Sequence, residues 1–522
     1  MAGRRNDESC DGSRATSSRR DFLKSIGGAA MAGGVVPGAT DLKSFQSPRP
    51  SASTDPEKLI GIQIGAVSFV DEGTDKVLDI LQERAGVNAL MLAAFTYGRG
   101  IAGRQVPGQP LPDHGAQQYD TATFHGGDYA NVHPEYYRDS IFRDFRAPDL
   151  GSFDLLGEVV PKARARRIKS YCWFEDVYNP RYLAGFEQNA AEVDIDGKPT
   201  RGACLNNPGV RDFLAALTED WLKSYDVDGV MWCSERQGPL DNAIGADAGR
   251  FTGRATITCF CSYCRTKGED RGIDVDRARA GLQALHGWAE SAVHGPRPAD
   301  GYFVTFWRLL VDYPEILAWE KLWTESQREV YAFLYGEAKG IRPDLPVGFH
   351  IWHNNSFSPF YRAEQDYRKL AGIADFLKVV MYNNCAGPRL AQYIRNVHGT
   401  VFGDLPPEQV LQFHYDVLGY KNESDLDKLP QTGLSARYVA EETRRALTGA
   451  AGRFAIYPGI DIDVPTGPGQ NKTAPEDVRN AARAALGAGA QGLILSRKYS
   501  EMRLANLAGA GQALKDLGLW KA

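Results

Sequence analysis

The chain has 522 residues, of which 43% are hydrophobic and 24% charged, a balance that excludes a disordered or collagen-like polypeptide. Sixty Lys and Arg against 65 Asp and Glu leave a formal charge of −5, so no strongly basic face for nucleic acid or an anionic membrane surface is expected. At roughly 150 residues per domain the length suggests about three and a half domains, although barrels of about 250 residues or more form single units.

Residues 1–18 are polar and show no periodicity. Ser18-Arg19-Arg20-Asp21-Phe22-Leu23-Lys24 then precedes small, weakly apolar residues from Ile26 to Val36, closed by Pro37-Gly38-Ala39. This run is too short and too glycine-rich to span ~30 Å of hydrocarbon. The paired arginines ahead of Phe22-Leu23-Lys24 resemble the twin-arginine translocation signal; the alternative is a basic tail before an amphipathic helix. The resemblance implies delivery by the twin-arginine export machinery to the periplasm or the extracellular space, with no integral membrane domain in the mature chain. Residues 1–40 therefore read as signal region, 41–58, rich in Ser and Pro, as a linker, and 59–522 as the working domain.

From there strand and helix patterns alternate. Ile60–Phe69 reads as strand one, followed by Val77, Leu78, Ile80 and Leu81 at helical spacing, and Asn88–Phe95 as strand two. A long loop rich in Gly, Asp, His and Tyr runs to about Gly151, before a helix through Leu155, Leu156, Val159 and Val160. Lys169–Phe174 is strand three. Val210, Phe213, Leu214, Leu217, Trp221 and Leu222 form a helical stripe behind Asn207-Pro208, an N-cap and first-turn pair. Val227–Cys233 is strand four, followed by an insertion with long helices across roughly 275–340. Val347–Trp352 is strand five, Phe376–Tyr382 strand six, Phe454–Ile460 strand seven behind the helix of Ala440–Leu447, and Gly492–Leu495 strand eight before the closing helix Leu504–Leu517. Eight such units with apolar, non-alternating strands predict an α/β fold, a (β/α)8 TIM barrel with long insertions after strands two and four. The rival, a doubly wound sheet, lacks its glycine-rich turn, because Gly61-Ile62-Gln63-Ile64-Gly65 falls inside strand one.

In such barrels the chemistry sits at the C-terminal ends of the strands. Those ends present Tyr97 after strand two, Glu175-Asp176 after strand three and Ser234-Glu235-Arg236 after strand four. Strand five ends in Trp352-His353-Asn354, strand six in Tyr382-Asn383-Asn384, strand seven in Asp461 and Asp463, and strand eight in Arg497, Tyr499 and Glu501. Acids to handle protons, amides to hold hydroxyls and rings to stack suit a polyhydroxylated ligand, and aromatic residues at 11% of the chain agree with that. Strand one carries no H-x-H, and neither a G-x-S-x-G elbow nor a P-loop occurs. Glu235 stands out, because Asp228-Gly-Val-Met-Trp-Cys-Ser-Glu235 is an apolar strand ending in a carboxylate; a salt bridge to Arg236 or to another strand-end Arg is the alternative. Asp461 and Asp463 would face Glu235 across the barrel, flanking a glycosidic bond, unless they cap the following turn. His350 and His353 lean in opposite directions, so one of them is expected in the core.

Of eight cysteines, Cys10 lies in the leader and Cys172, Cys204, Cys233 and Cys385 are scattered. Cys259-Phe260-Cys261-Ser262-Tyr263-Cys264 packs three thiols too closely for unstrained disulfides, but three thiolates can converge on a tetrahedral Zn²⁺ at about 2.3 Å. Cys204, in Cys204-Leu205-Asn206-Asn207-Pro208, is the natural fourth ligand. This order of motifs resembles glycoside hydrolase family 42, the bacterial β-galactosidases: a Cys-Pro-Asn-Ser-Pro-like segment, a strand-four Asn-Glu acid/base, then C-x-C-x-x-C. The resemblance covers roughly residues 200–265. It implies a structural zinc on Cys204, Cys259, Cys261 and Cys264 and the acid/base role for Glu235. The chain departs from the family at Ser234, where the family has Asn, and at strand seven, where Asp461 and Asp463 stand in place of its Glu nucleophile.

The expected function is thus an exported glycoside hydrolase acting on carbohydrate. Glu235 would protonate the leaving oxygen, its pKa raised by burial or by a neighbouring carboxylate, and Asp461 or Asp463 would attack the anomeric carbon or activate water. Arg236, Trp352, His353, Asn354, Tyr382, Asn383 and Glu175 would bind substrate. The alternatives are a non-hydrolytic sugar-binding barrel and a metal-dependent sugar isomerase or lyase using Glu175, Glu235, Asp461 and a His.

Overall fold

The computed structural model describes residues 57–97, 102–120, 124–175 and 185–520. The expected signal region, nearly all of the expected linker, Asp176 and the Tyr97 side chain lie outside the described residues. Eight strands close into a parallel barrel: β1 Leu59–Ile64, β2 Ala89–Tyr97, β3 Lys169–Glu175, β4 Gly229–Cys233, β5 Val347–Ile351, β6 Phe376–Val380, β7 Ala455–Asp461 and β8 Gly492–Ser496. Each pairs with the next in chain order, and β8 closes on β1 with Leu59 opposite Gly492. The expected (β/α)8 architecture is therefore the observed one. Among the described residues no helix is long and apolar enough to cross a membrane.

Every strand is buried on both sides, so its residues divide by the two-residue repeat into an inner and an outer set. Ala89, Met91, Tyr171, Trp173, Met231, Cys233, Phe376 and Ile494 form the barrel's inner core. Leu90, Leu92, Cys172, Phe174, Phe349, Leu377 and Leu495 pack outward into the core beneath the helices. Tyr171 and Phe376 meet edge to face inside the barrel at 5.7 Å between centroids. Glycines on the neighbouring strands make the room. A Cβ at Gly229 would lie 2.2 Å from the Tyr171 ring, and one at Gly348 2.2 Å from the Phe376 ring.

Strand one ends earlier than its apolar run suggested. The chain leaves the sheet at Gly65 and enters a helix over Ala66–Glu72, whose Val67 and Phe69 are buried. A short apolar run looks the same in a buried strand and a buried helix, so periodicity alone could not separate them. After β2, the short strand Gly126–Asp128 adds antiparallel to it, with Phe95 opposite Asp128. Three helices are used below: α1 Pro208–Ser224, α2 Ser262–Asp270 and α3 Asn383–His398. The side chain of Asn207 caps α1, accepting from the Gly209 N–H at 2.9 Å.

Candidate active site

A pocket with a cavity volume of about 250 Å³ opens at the C-terminal mouth of the barrel. The two-residue repeat explains which side chains reach it. On β3, Tyr171 and Trp173 are followed by Glu175; beyond Met231 and Cys233 of β4 comes Glu235; on β5, Gly348 is followed by His350 and Trp352. Gln63 of β1, Tyr382 after β6, Arg389 of α3 and Arg497 after β8 complete the polar wall.

Beneath this wall lies Lys378, an ammonium in the middle of β6 with no solvent exposure. Its Nζ donates to Tyr382 Oη at 2.7 Å and Gln63 Oε1 at 2.9 Å, and lies 3.2 Å from His350 Nδ1. Burial pushes its pKa down to about 8, with Cys233, Glu235 and Glu175 partly holding it up, so the lysine is still mainly a cation at pH 7. His350 is depressed to about 4 by burial and by the Lys378 charge, and is therefore neutral. Since the ammonium supplies the proton at Nδ1, the ring's own hydrogen sits on Nε2, which donates to Glu235 Oε1 at 3.0 Å. Burial pushes the Glu235 carboxyl up, but the His350 hydrogen bond and the charges of Arg389 and Lys378 outweigh it and hold the group below its usual range. This reverses the sign expected for a proton donor: Glu235 stands as a carboxylate. Glu175 is buried and accepts from the Cys233 thiol at 3.4 Å. The pocket's two carboxylates thus come from neighbouring strands.

Lys378→Met removes one of the charges that depress Glu235. The acidic limb of the pH profile of kcat/KM is expected to move to higher pH, because less stabilisation of the ionised form means a higher pKa. A limb that stays in place or moves down in a folded variant would separate Lys378 from Glu235.

The strand-seven acids lie elsewhere. Asp461 is buried against the first turn of α3, where it accepts from the Cys385 N–H at 3.0 Å and from the Asn384 side chain at 3.3 Å. The amides at a helix N-terminus are a natural seat for a carboxylate, although burial raises this one to about 6. Asp463, at φ 56°, pairs with Arg503 at 2.8 Å and accepts from Asn506 Nδ2 at 2.9 Å. Neither lines the pocket, so neither opposes Glu235 across it. Asp463→Ala is expected to cost about 2 kcal/mol in chemical denaturation, less than a fully buried pair because Arg503 is about a third exposed.

Trp352, His353, Asn354 and Tyr382 line the pocket; Arg236 and Asn383 do not. Arg236 turns away and donates to the Ala203 carbonyl at 2.6 Å, fixing the hairpin of Ala191–Val193 and Pro199–Ala203. Asn383 is buried, and its carbonyl accepts from the Leu434 N–H at 2.8 Å. Both histidines reach the pocket, because His353 lies beyond the strand, in the turn His353–Ser356, where the strand's alternation no longer applies. His353 Nδ1 accepts from Arg389 Nη1 at 2.9 Å. The Asn354 amide nitrogen is taken by Gln237 and the Ala246 carbonyl, while its Oδ1 is buried without a partner among the described residues. Gln63, Trp173, Lys378 and Arg389 were missed. Lys378 had a visible signal, a charge inside the apolar strand Phe376-Leu-Lys-Val-Val380, whereas Arg389 had none.

Cys204, Cys259, Cys261 and Cys264 bring their four sulfurs within 4.8 Å of one another. Cys204 Sγ lies 3.4 Å from Cys261 Sγ and 3.5 Å from Cys264 Sγ. Four sulfurs at about 2.3 Å from a tetrahedral centre would stand roughly 3.8 Å apart, so the thiols fit a single ion. The Val193 N–H donates to Cys259 Sγ at 3.4 Å and Asn206 Nδ2 to Cys264 Sγ at 3.3 Å, the kind of outer contacts that orient thiolate ligands. Cys233, Glu235 and His350 also converge within 4.8 Å. Their setting differs: His350 Nδ1 faces the Lys378 ammonium and Arg389 also bears on Glu235, so the local field opposes a divalent cation. That weighs against the isomerase or lyase alternative.

No family model matches the chain, and no curated protein is significantly similar to it in sequence. Among solved structures, a β-galactosidase from the haloarchaeon Halorubrum lacusprofundi is 14% identical at a TM-score of 0.50, over 88% of this chain and 58% of that one. A cold-adapted β-galactosidase from Rahnella sp. R3 is 14% identical at a TM-score of 0.49, over 90% and 57%. An α-L-fucosidase isoenzyme 2 from Paenibacillus thiaminolyticus is 15% identical at a TM-score of 0.45, over 88% and 49%. The chain spans about half to three fifths of the length of these proteins. With the Halorubrum β-galactosidase the chain thus shares the barrel fold.

Proposed function

We propose that the protein is an exported glycoside hydrolase that cleaves a glycosidic bond between Glu175 and Glu235. The observation that carries this reading is the meeting of two carboxylates, on the inward ends of β3 and β4, in one mouth pocket with the rings of Trp352 and Tyr382. Glu235, held ionised by His350, serves as nucleophile or as the base that takes a proton from water. Proton delivery to the leaving oxygen then falls to Glu175. Water supplies the hydroxyl that ends on the anomeric carbon, and the leaving sugar departs as an alcohol. Trp352 stacks the ring, and the buried, unpartnered Oδ1 of Asn354 accepts from a hydroxyl.

The four cysteines hold a structural zinc with no open position for chemistry. The paired arginines Arg19-Arg20 and the run from Ile26 to Val36 support twin-arginine export to the periplasm or beyond. The test is turnover of aryl glycosides of both anomers by the purified chain, beside Glu175→Gln and Glu235→Gln. Sugar binding with no turnover of any glycoside by the wild type would leave a binding barrel.

A further inference from the structure

The pocket sets three cations beside the carboxylates of Glu175 and Glu235. Arg389 enters it from α3 and Arg497 from just after β8, while Lys378 lies beneath. Glu235 is matched by Lys378 through the neutral His350 ring. Arg497 is engaged by the fully buried Glu501, whose carboxylate also has Lys498 at 3.6 Å. Arg389 differs. Glu235 acts on it at a distance, but no carboxylate among the described residues forms an ion pair with it. Its hydrogen bond runs through Nη1 to His353, a ring that burial and the Arg389 charge keep neutral.

A guanidinium does not lose its proton, and it presents five N–H donors in one plane. Partly exposed at the pocket wall and without an ion pair to Glu235, Arg389 keeps N–H donors beyond the one given to His353 for an anion arriving from outside. The planar fork suits a group with two acceptor oxygens.

We propose that the pocket takes a glycoside whose sugar bears an acidic substituent, a carboxylate or a sulfate ester, which seats on Arg389 with Arg497 adding to the field. This deepens the hydrolase reading and rests on it for the bond that is cleaved, but the anion seat can be tested by binding alone.

Isothermal titration calorimetry of the full chain with D-galacturonate, D-glucuronate, galactose 6-sulfate, galactose and glucose reads the preference directly. At least one acidic sugar is expected to bind about tenfold or more tighter than its neutral counterpart. The uronate and sulfate arms tell which oxyanion is preferred. Arg389→Gln is expected to bring the ratio of acidic-sugar to neutral-sugar affinity to about one, and Arg389→Lys to keep part of the preference. Neutral sugars binding as tightly as acidic ones, no sugar binding at millimolar concentration, or a preference that survives Arg389→Gln would each overturn the proposal. The two readings fail separately. Turnover of neutral aryl glycosides with no acidic preference removes the anion seat and leaves the hydrolase, whereas acidic-sugar preference without turnover of any glycoside does the reverse.

Discussion

Glu235→Gln is expected to lower kcat on the best aryl glycoside by about 10³-fold or more, with the thermal midpoint nearly unchanged. Gln keeps the shape and still offers an oxygen to the His350 Nε2–H, so the contact across 3.0 Å survives. What it loses is the negative charge that, on the proposed function, attacks carbon or takes a proton from water. Removing that anion leaves Lys378 and Arg389 with one negative charge fewer beside them, so binding of an acidic sugar should hold or tighten while turnover collapses. Glu175→Gln is expected to show a loss of similar size, because proton delivery and attack act in one transition state. Asp461→Asn should leave kcat near the wild-type value, since its carboxylate meets the amides of α3 rather than the pocket. A Glu235→Gln enzyme with near wild-type kcat would place the chemistry elsewhere.

Metal analysis of the purified chain is expected to find one zinc, and removing it, by a strong chelator or by Cys264→Ser, to lower the thermal midpoint by about 10 °C. The reason lies in what the thiols join. Cys204 follows the hairpin that Arg236 ties down, whereas Cys259, Cys261 and Cys264 end the long excursion after β4 and open α2. That excursion carries Ala248 and Gly249, which line the pocket. Four thiols lacking an ion make only weak hydrogen bonds with one another, so this junction would open before the barrel itself. Because the sulfurs do not line the pocket, kcat at 25 °C should change little. A zinc-free chain with an unaltered midpoint would sink the assignment.

Much of the barrel was legible because its signals are local. An apolar strand followed by a helical stripe repeats along the chain, and each segment can be read without knowing its neighbours. The same holds for Cys259-x-Cys261-x-x-Cys264, where three thiols within one turn of chain must share a site, and for Glu235, a charge that an apolar strand has no packing use for. The expectation for Asp461 and Asp463 went astray for a physical reason. Being at a strand end places a carboxylate near the mouth, but its direction is set by which donors the next elements bring up. Here those donors are the first amides of α3 for Asp461, and Arg503 with Asn506 for Asp463.

The amino-acid sequence by itself determined the eight-stranded barrel, a carboxylate at position 235 just beyond its fourth strand, and the cysteine quartet. Only the tertiary structure decided that Glu175, on the adjacent strand, is the second acid in the pocket, that Glu235 is held ionised, and that Arg389 lines the same pocket. Backbone periodicity depends on bonds within a few residues, whereas protonation and partnership depend on charges brought together from β1, β5, β6 and α3, which no local pattern encodes.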